Sequence, residues 1–158
     1  MEKTTDLSDR YPEAGILPFE LRNFGKSVQF SGPAVTVKCF EDNSRIKELS
    51  QTPGNGKVLV VDGGGSTRCA LFGDIIAIDL QKNGWAGAVI FGCVRDAAVL
   101  ASVPLGIKAL GSHPRKTIKQ NEGQVGGRIV IGGVAINAGD QIHADEDGVV
   151  VLPAISGT

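Results

Sequence analysis

The chain has 158 residues, the length of one ordinary domain, and such a chain buries roughly two-thirds of the surface its unfolded form exposes. Sixteen Lys and Arg stand against seventeen Asp and Glu, a formal charge of -1, so no basic surplus advertises a nucleic-acid surface. The 22 glycines are roughly twice the usual share and fall between apolar runs without a three-residue period, which excludes collagen and favours turn-rich α/β or β architecture.

No apolar segment of signal-peptide length follows Met1-Glu2-Lys3-Thr4-Thr5-Asp6, and no stretch approaches the roughly 18 apolar residues of a membrane-spanning helix. Cys39, Cys69 and Cys93 are odd in number and widely spaced, as expected of free thiols in an intracellular, cytoplasmic protein.

The first 30 residues mix short helical stretches with turns at Pro12, Gly15 and Pro18. Residues 34–40, β-branched and aromatic, predict a strand. Asp42 and Asn43 can cap the next element, a short helix carrying Ile46 and Leu49 and ending before Pro53. Gly54-Asn55-Gly56 then turns the chain into residues 57–62, whose almost continuous apolar run predicts a strand covered on both faces. Gly63-Gly64-Gly65-Ser66 breaks it. A second helix is expected from about Ala70 or Asp74 to Lys82, stopped by Asn83-Gly84.

Residues 86–91 predict another buried strand, and Arg95-Asp96 leads into a helix carrying Val99 and Leu100 that Pro104 ends. From Ile107 onward the pattern is all strand: 107–110, 128–131, 134–136 and 148–152, with Gly132-Gly133 as a bend or bulge and 112–127 as a polar connector. The expectation is one α/β domain over 1–158, with strand-loop-helix units in the middle and a β-rich C-terminal half.

Several signals fail on inspection. Gly63-Gly64-Gly65 misses the dinucleotide fingerprint because Arg68 stands where its last glycine belongs, and Gly25-Lys26-Ser27 lacks the upstream glycine of a phosphate loop, Glu20 being there instead. His113 and His143 are thirty residues apart with no paired cysteine, so zinc is not expected. Trp85 and Tyr11 are too few for a base-stacking platform.

The informative residues lie just beyond the buried strands, where open α/β folds bind ligands. Gly73-Asp74-Ile75-Ile76 enters a helix whose first N–H groups lack intrahelical acceptors, so these residues either hold a carboxylate or are simply capped by Asp74. Arg95 either offers its donor fork to an anionic oxygen or pairs in solvent with Asp96. Asp96 in turn can orient a hard cation such as Mg²⁺ with help from water and substrate oxygens. Asn43 is an amide donor or a cap, and His113 is a proton-transfer candidate or a loop residue. Arg68 contacts an anion, bridges another subunit or belongs to a plain sharp turn, and the basic run Arg115, Lys116 and Lys119 is a solvated face or a dock for an acidic partner.

Strings along most of the chain resemble the regulator-of-ribonuclease-activity-A family, which also contains the class II 4-hydroxy-4-methyl-2-oxoglutarate aldolases. They are Phe30-Ser31-Gly32-Pro33-Ala34, Cys39-Phe40-Glu41-Asp42-Asn43, Asp62-Gly63-Gly64-Gly65-Ser66, Gly73-Asp74, Gly92-Cys93-Val94-Arg95-Asp96, Gly106-Ile107-Lys108-Ala109, Gly132-Gly133-Val134, Gly139-Asp140 and Ala144-Asp145-Glu146-Asp147-Gly148. Asp74, then twenty residues, then Arg95-Asp96 matches the aldolase-type motif.

The resemblance implies a lyase using Mg²⁺ or Mn²⁺ that cleaves 4-hydroxy-4-methyl-2-oxoglutarate to two pyruvates and decarboxylates oxaloacetate through a pyruvate enolate. By resemblance, Asp96 approaches the metal and Arg95 contacts substrate and stabilises the enolate. Residues 73–76 receive the pyruvyl group, and Asp74 positions a water or moves a proton. One position departs from the pattern: Val99 stands where many members carry an acid. The same family implies an alternative, a non-catalytic regulator that binds and inhibits an endoribonuclease by protein contact, and a ring-shaped homotrimer with its sites near the subunit interfaces. Nothing in the chain resembles an S-adenosylmethionine loop, although many members have carried a menaquinone methyltransferase label.

Overall fold

The computed structural model describes residues 1–18 and 20–154. In chain order its elements are α1 (Thr4–Arg10), β1 (Gly15–Ile16), β2 (Arg22–Asn23), β3 (Phe30–Lys38), α2 (Ser44–Ser50), β4 (Val58–Asp62), β5 (Ala70–Phe72), α3 (Asp74–Lys82), β6 (Gly87–Val94) and α4 (Ala97–Leu100). After these come β7 (Gly106–Ser112), β8 (Gln124–Val125), β9 (Ile129–Ile131), β10 (Val134–Ile136), β11 (Gln141–Asp145) and β12 (Gly148–Leu152). All elements described after Gly106 are strands, so the chain is an α/β domain with a β-rich C-terminal half, as expected.

The main sheet runs β1-β12-β11-β3-β4-β6-β7-β2. Its centre, β3-β4-β6-β7, is parallel, and the outer pairs are antiparallel. Parallel neighbours need crossovers, and α2 and α3 supply two of them. Strand β3 serves three partners: Phe30–Pro33 pair with β11, Ala34–Lys38 pair with β4, and Val37 and Lys38 also pair with β8.

Side chains alternate across β4, and both faces are apolar. Leu59 and Val61 join Ile46 of α2, Ile76 and Leu80 of α3, Leu100 of α4 and Ile107 in one core. Val58 and Val60 join Phe30, Val89, Ile142 and the β9–β10 residues Ile129, Ile131 and Ile136 in a second core on the other face. Residues 58–61 are all fully buried, as their unbroken apolar run requires. No helix among the described residues is long and apolar enough to cross a membrane.

The structure moves several expected boundaries. The strand expected at 34–40 begins at Phe30 and ends at Lys38, leaving Phe40 exposed. The helix expected from Ala70 or Asp74 starts at Asp74, because Ala70–Phe72 forms β5 against the end of β6. That added partner carries β6 on to Val94, past the expected stop near Phe91, through a register shift between Ile90 and Cys93. Strand β11 is absent from the expected set. Its segment, Gln-Ile-His-Ala-Asp, shows only two apolar residues, although both are fully buried. Gly132-Gly133 is the two-residue turn of the β9–β10 hairpin, with φ of 56° and 81°, the positive pair such a turn requires.

The Phe30 ring lies over β6 and β7 at Gly87 and Gly106, where a Cβ on either glycine would run into it. Gly106→Ala is expected to cost about 1–3 kcal/mol through overpacking, read as a lower urea midpoint at unchanged m-value.

Candidate functional site

Strand β6 delivers Arg95 to the edge of the second helix crossover. The Arg95 backbone N–H donates to the Phe72 carbonyl at 2.9 Å, which fixes the end of β6 against β5. Asp96 then takes the left-handed conformation, φ 62° and ψ 42°, one that Asp tolerates better than most residues. Its carbonyl accepts the Leu100 N–H at 2.9 Å and so opens α4.

The reversal aims the Asp96 side chain at the start of α3, where Oδ2 accepts the Asp74 N–H at 3.3 Å. Asp74 Oδ1 accepts the Ile75 N–H at 2.8 Å. The two leading donors of α3 thus face the chain's own carboxylates. Gly73 permits this approach, because a Cβ there would fall 2.9 Å from Asp96 Oδ2.

Asn43, residues 73–76, Arg95 and Asp96 all border one cavity of about 120 Å³. Lys47, Lys116 and Lys119 border it too. Neither expected role of Asn43 describes its side chain fully. It stands at the N-cap position of α2 without a side-chain capping bond, and its Oδ1 instead accepts the Thr117 hydroxyl at 2.9 Å. His113 is not among the residues bordering this cavity. Its Nδ1 accepts the Arg115 N–H at 3.0 Å and shapes the turn there.

The connector expected as a polar loop is a strap across the strand ends, pinned from beneath. Asp42 Oδ2 accepts the Gln120 and Glu122 N–H groups at 2.7 and 3.2 Å, while Oδ1 accepts the Ser44 N–H and hydroxyl at 2.9 and 2.6 Å. Arg45 donates to Asn121 Oδ1, and the Ala70 N–H donates to the Arg115 carbonyl at 2.7 Å. Burial pushes the Asp42 carboxyl up, but the Ser44, Gln120 and Glu122 donors outweigh it and hold the group at about 2. These contacts place Lys116 between the first cavity and a larger one of about 460 Å³. Arg68 borders the larger cavity, and its Nε and Nη2 donate to Glu41 Oε2 and Oε1 at 2.7 and 2.5 Å. The Arg68 bonds hold the Glu41 carboxyl at about 2.

Lys47, Lys116, Lys119 and Thr117 were not among the expected site residues. Lys116 and Lys119 signal themselves only as a basic run, with Thr117 inside it and Lys47 apart on α2, and nothing in the run says that it folds back over residues 73–76.

The expected Mg²⁺ or Mn²⁺ does not fit this donor set. Among the described residues no three His, Cys, Asp or Glu side chains gather where they could hold a metal. Asp96 already accepts the Asp74 N–H, Val99 supplies no carboxylate, and Arg95 and three lysines surround the cavity with positive charge. The expectation of a metal-dependent aldolase and oxaloacetate decarboxylase, routed through a cation at Asp96, is corrected accordingly.

The family model RraA-like (Aldolase/RraA) matches residues 4–151. The fold matches the structure of the RNA-processing inhibitor RraA from Thermus thermophilis with a TM-score of 0.95 and 42% identity, covering 100% of this chain and 97% of that one. A Geobacillus kaustophilus structure described as an S-adenosylmethionine: 2-dimethylmenaquinone methyltransferase matches with a TM-score of 0.94 and 40% identity, covering 98% of this chain and 97% of that one. In sequence, a protein of Alkalilimnicola ehrlichii, provisionally named a 4-hydroxy-4-methyl-2-oxoglutarate aldolase, is 53% identical over 94% of this chain and 92% of its own. The near-complete likeness to an RNA-processing inhibitor joins the missing donor set in overturning the lyase expectation.

Asp42 stabilises the strap fully above the ordinary aspartate pKa of about 3.9, and that stabilisation is lost as pH falls through its folded value of about 2. The Gln120 and Glu122 amide resonances should therefore titrate together with a midpoint near 2, checked by NMR.

Proposed function

The chain belongs to the RraA-like family, and from that premise we propose that it is a protein regulator that binds and inhibits an endoribonuclease by protein–protein contact. The observation that carries this reading is the likeness to the RNA-processing inhibitor over the whole chain at a TM-score of 0.95. The net charge of -1 agrees with it, since direct competition for RNA calls for a basic surplus. The regulator works as a homotrimer, the closed symmetry expected of a soluble assembly, and it works in the cytoplasm, where its three free thiols persist.

In the same reading the cavity at residues 73–76 is a ligand pocket. Arg95 and Asn43 face a small 2-oxo acid whose carboxylate displaces the Asp96 side chain from the Asp74 N–H, Ile75 and Ile76 completing the turn. Asp74 keeps the first turn of the helix in shape through its bond to the Ile75 N–H.

Cleavage of a labelled single-stranded RNA by an endoribonuclease of RNA degradation is the direct test. Purified chain, running at three times 16.4 kDa, should slow cleavage at near-stoichiometric amounts, and equally after chelator treatment and desalting. Unchanged cleavage, or inhibition matched by the chain's own affinity for the RNA, would refute the proposal. For the pocket, a 2-oxo acid should raise the wild-type melting temperature by a few degrees and leave that of Arg95→Ala unmoved.

A further inference from the structure

Among the described helices, α1 alone adds no residue to either core. It buries only Thr4 and Leu7, and it lies on β11 and β12. Leu7 and Val150 of β12 are each 2% exposed yet stand outside both cores, so α1 covers a separate seam. One side-chain clamp fastens the helix there. Asp145 accepts the Thr4 N–H at 2.8 Å and the Thr4 hydroxyl at 2.7 Å. A two-turn helix held this way can open by itself, without unfolding what lies beneath it.

His143 lies on the covered face. Ile142 and Ala144 of β11 point into the second core, so His143 and Asp145 point out of the opposite face, where α1 sits. Its ladder partners are Ser31 of β3 and Val150 of β12, and neither carries charge. The His143 Nδ1 is buried and has no hydrogen-bond partner among the described residues. A neutral imidazole tolerates this, since one of its nitrogens carries no hydrogen. An imidazolium does not: both nitrogens donate, and the buried one would find no acceptor.

The charged groups near this face offer no such acceptor. Arg10 of the same helix holds the Glu2 carboxylate at 2.5 and 3.0 Å. Thr4 and the Asp147 N–H, the latter at 3.0 Å, occupy Asp145. The α-amino group of Met1 adds positive charge and opposes more.

We infer that α1 is an acid-released cover: a proton on His143 Nδ1 lifts the helix from β11 and β12 while both cores stay folded. Nothing in this device depends on a ribonuclease or on the pocket at residues 73–76.

The pH window follows from the two forms of the imidazole. Under the helix, burial lowers the His143 pKa, Glu2 offsets part of this, and the Met1 amine lowers it further. With the helix open, the group returns to its ordinary value of about 6.5. The closed form is therefore fully favoured above that value and loses ground as pH falls through the lower, closed-state one. Asp145 stays ionised meanwhile. Burial pushes its carboxyl up, but donors from Thr4, Asp147 and Gly148 outweigh that and hold it below the usual range. Acid opening thus comes from His143 and not from loss of the clamp.

Hydrogen exchange of the full chain, read by mass spectrometry and corrected for intrinsic rates, tests this at about pH 7.5 and about pH 5. The amides of Leu7 and Tyr11, bonded to the Lys3 and Leu7 carbonyls, should lose about tenfold in protection at the lower pH. Those of β4 and β6 should lose none, and His143→Gln should keep α1 protected at both. In His113→Gln, His143 is the one histidine left, and its C2 proton should titrate by NMR below about 6.5. A midpoint at or above that value overturns the inference whether or not His143→Gln folds. So does α1 protection that ignores pH in wild type, a loss that persists in His143→Gln, or an equal loss in β4 and β6.

Discussion

Strands β4 and β6 are covered on both faces along their length, so neither presents a charged side chain before its end, and this confines the chemistry to the strand ends. Arg95 is the first residue after β6, and Asp62 is the last of β4. Among the described residues, the one buried charge inside the parallel sheet is on β7. Lys108 donates its Nζ to the Asp145 carbonyl at 2.6 Å, and burial pushes its pKa down. Asp145 in turn binds Thr4 through its N–H and hydroxyl at 2.8 and 2.7 Å, tying α1 to the same point. An unpartnered ammonium there would cost several kcal/mol. The carbonyl lets the amine stay where the fold puts it.

The strand ends would be a set of loose loops without Asp42. One carboxylate takes four donors, two from the start of α2 and two from the strap, so helix and strap are set relative to each other by a single buried group. Because the strap brings lysines, it also decides the electrostatics of the cavity below. A site formed by Asp74 and Asp96 alone would attract cations; Lys47, Lys116 and Lys119 turn it toward anions.

The sequence disclosed what depends on neighbours in the chain. The unbroken apolar runs of β4 and β6, the α3 stop at Asn83-Gly84 and the Gly132-Gly133 turn all follow from local patterning. The twenty-residue gap between Asp74 and Arg95-Asp96 spans α3 and β6, a helix and a return strand, and that path brings its two ends together. What needed distant partners stayed hidden. Ala70–Phe72 is too short to signal a strand, and β11 is too polar; each exists because another strand accepts it. The expected metal failed for the same reason. Spacing along the chain brings Asp96 to the pocket, but the number of donors around it depends on Val99 and on lysines from the strap.

Burial has also silenced the thiols. Cys39, Cys69 and Cys93 are all buried, each pKa is raised by burial, and Cys39 reaches about 12. Thiolate is the reactive form, so alkylating reagents and mild oxidants have little to attack in the folded chain. A cysteine introduced at the crest of the strap, in place of Ile118, would be the most reactive thiol in the molecule. The native protein is thus its own blank background for a fluorophore or spin label that watches the strap directly, with no prior removal of cysteines.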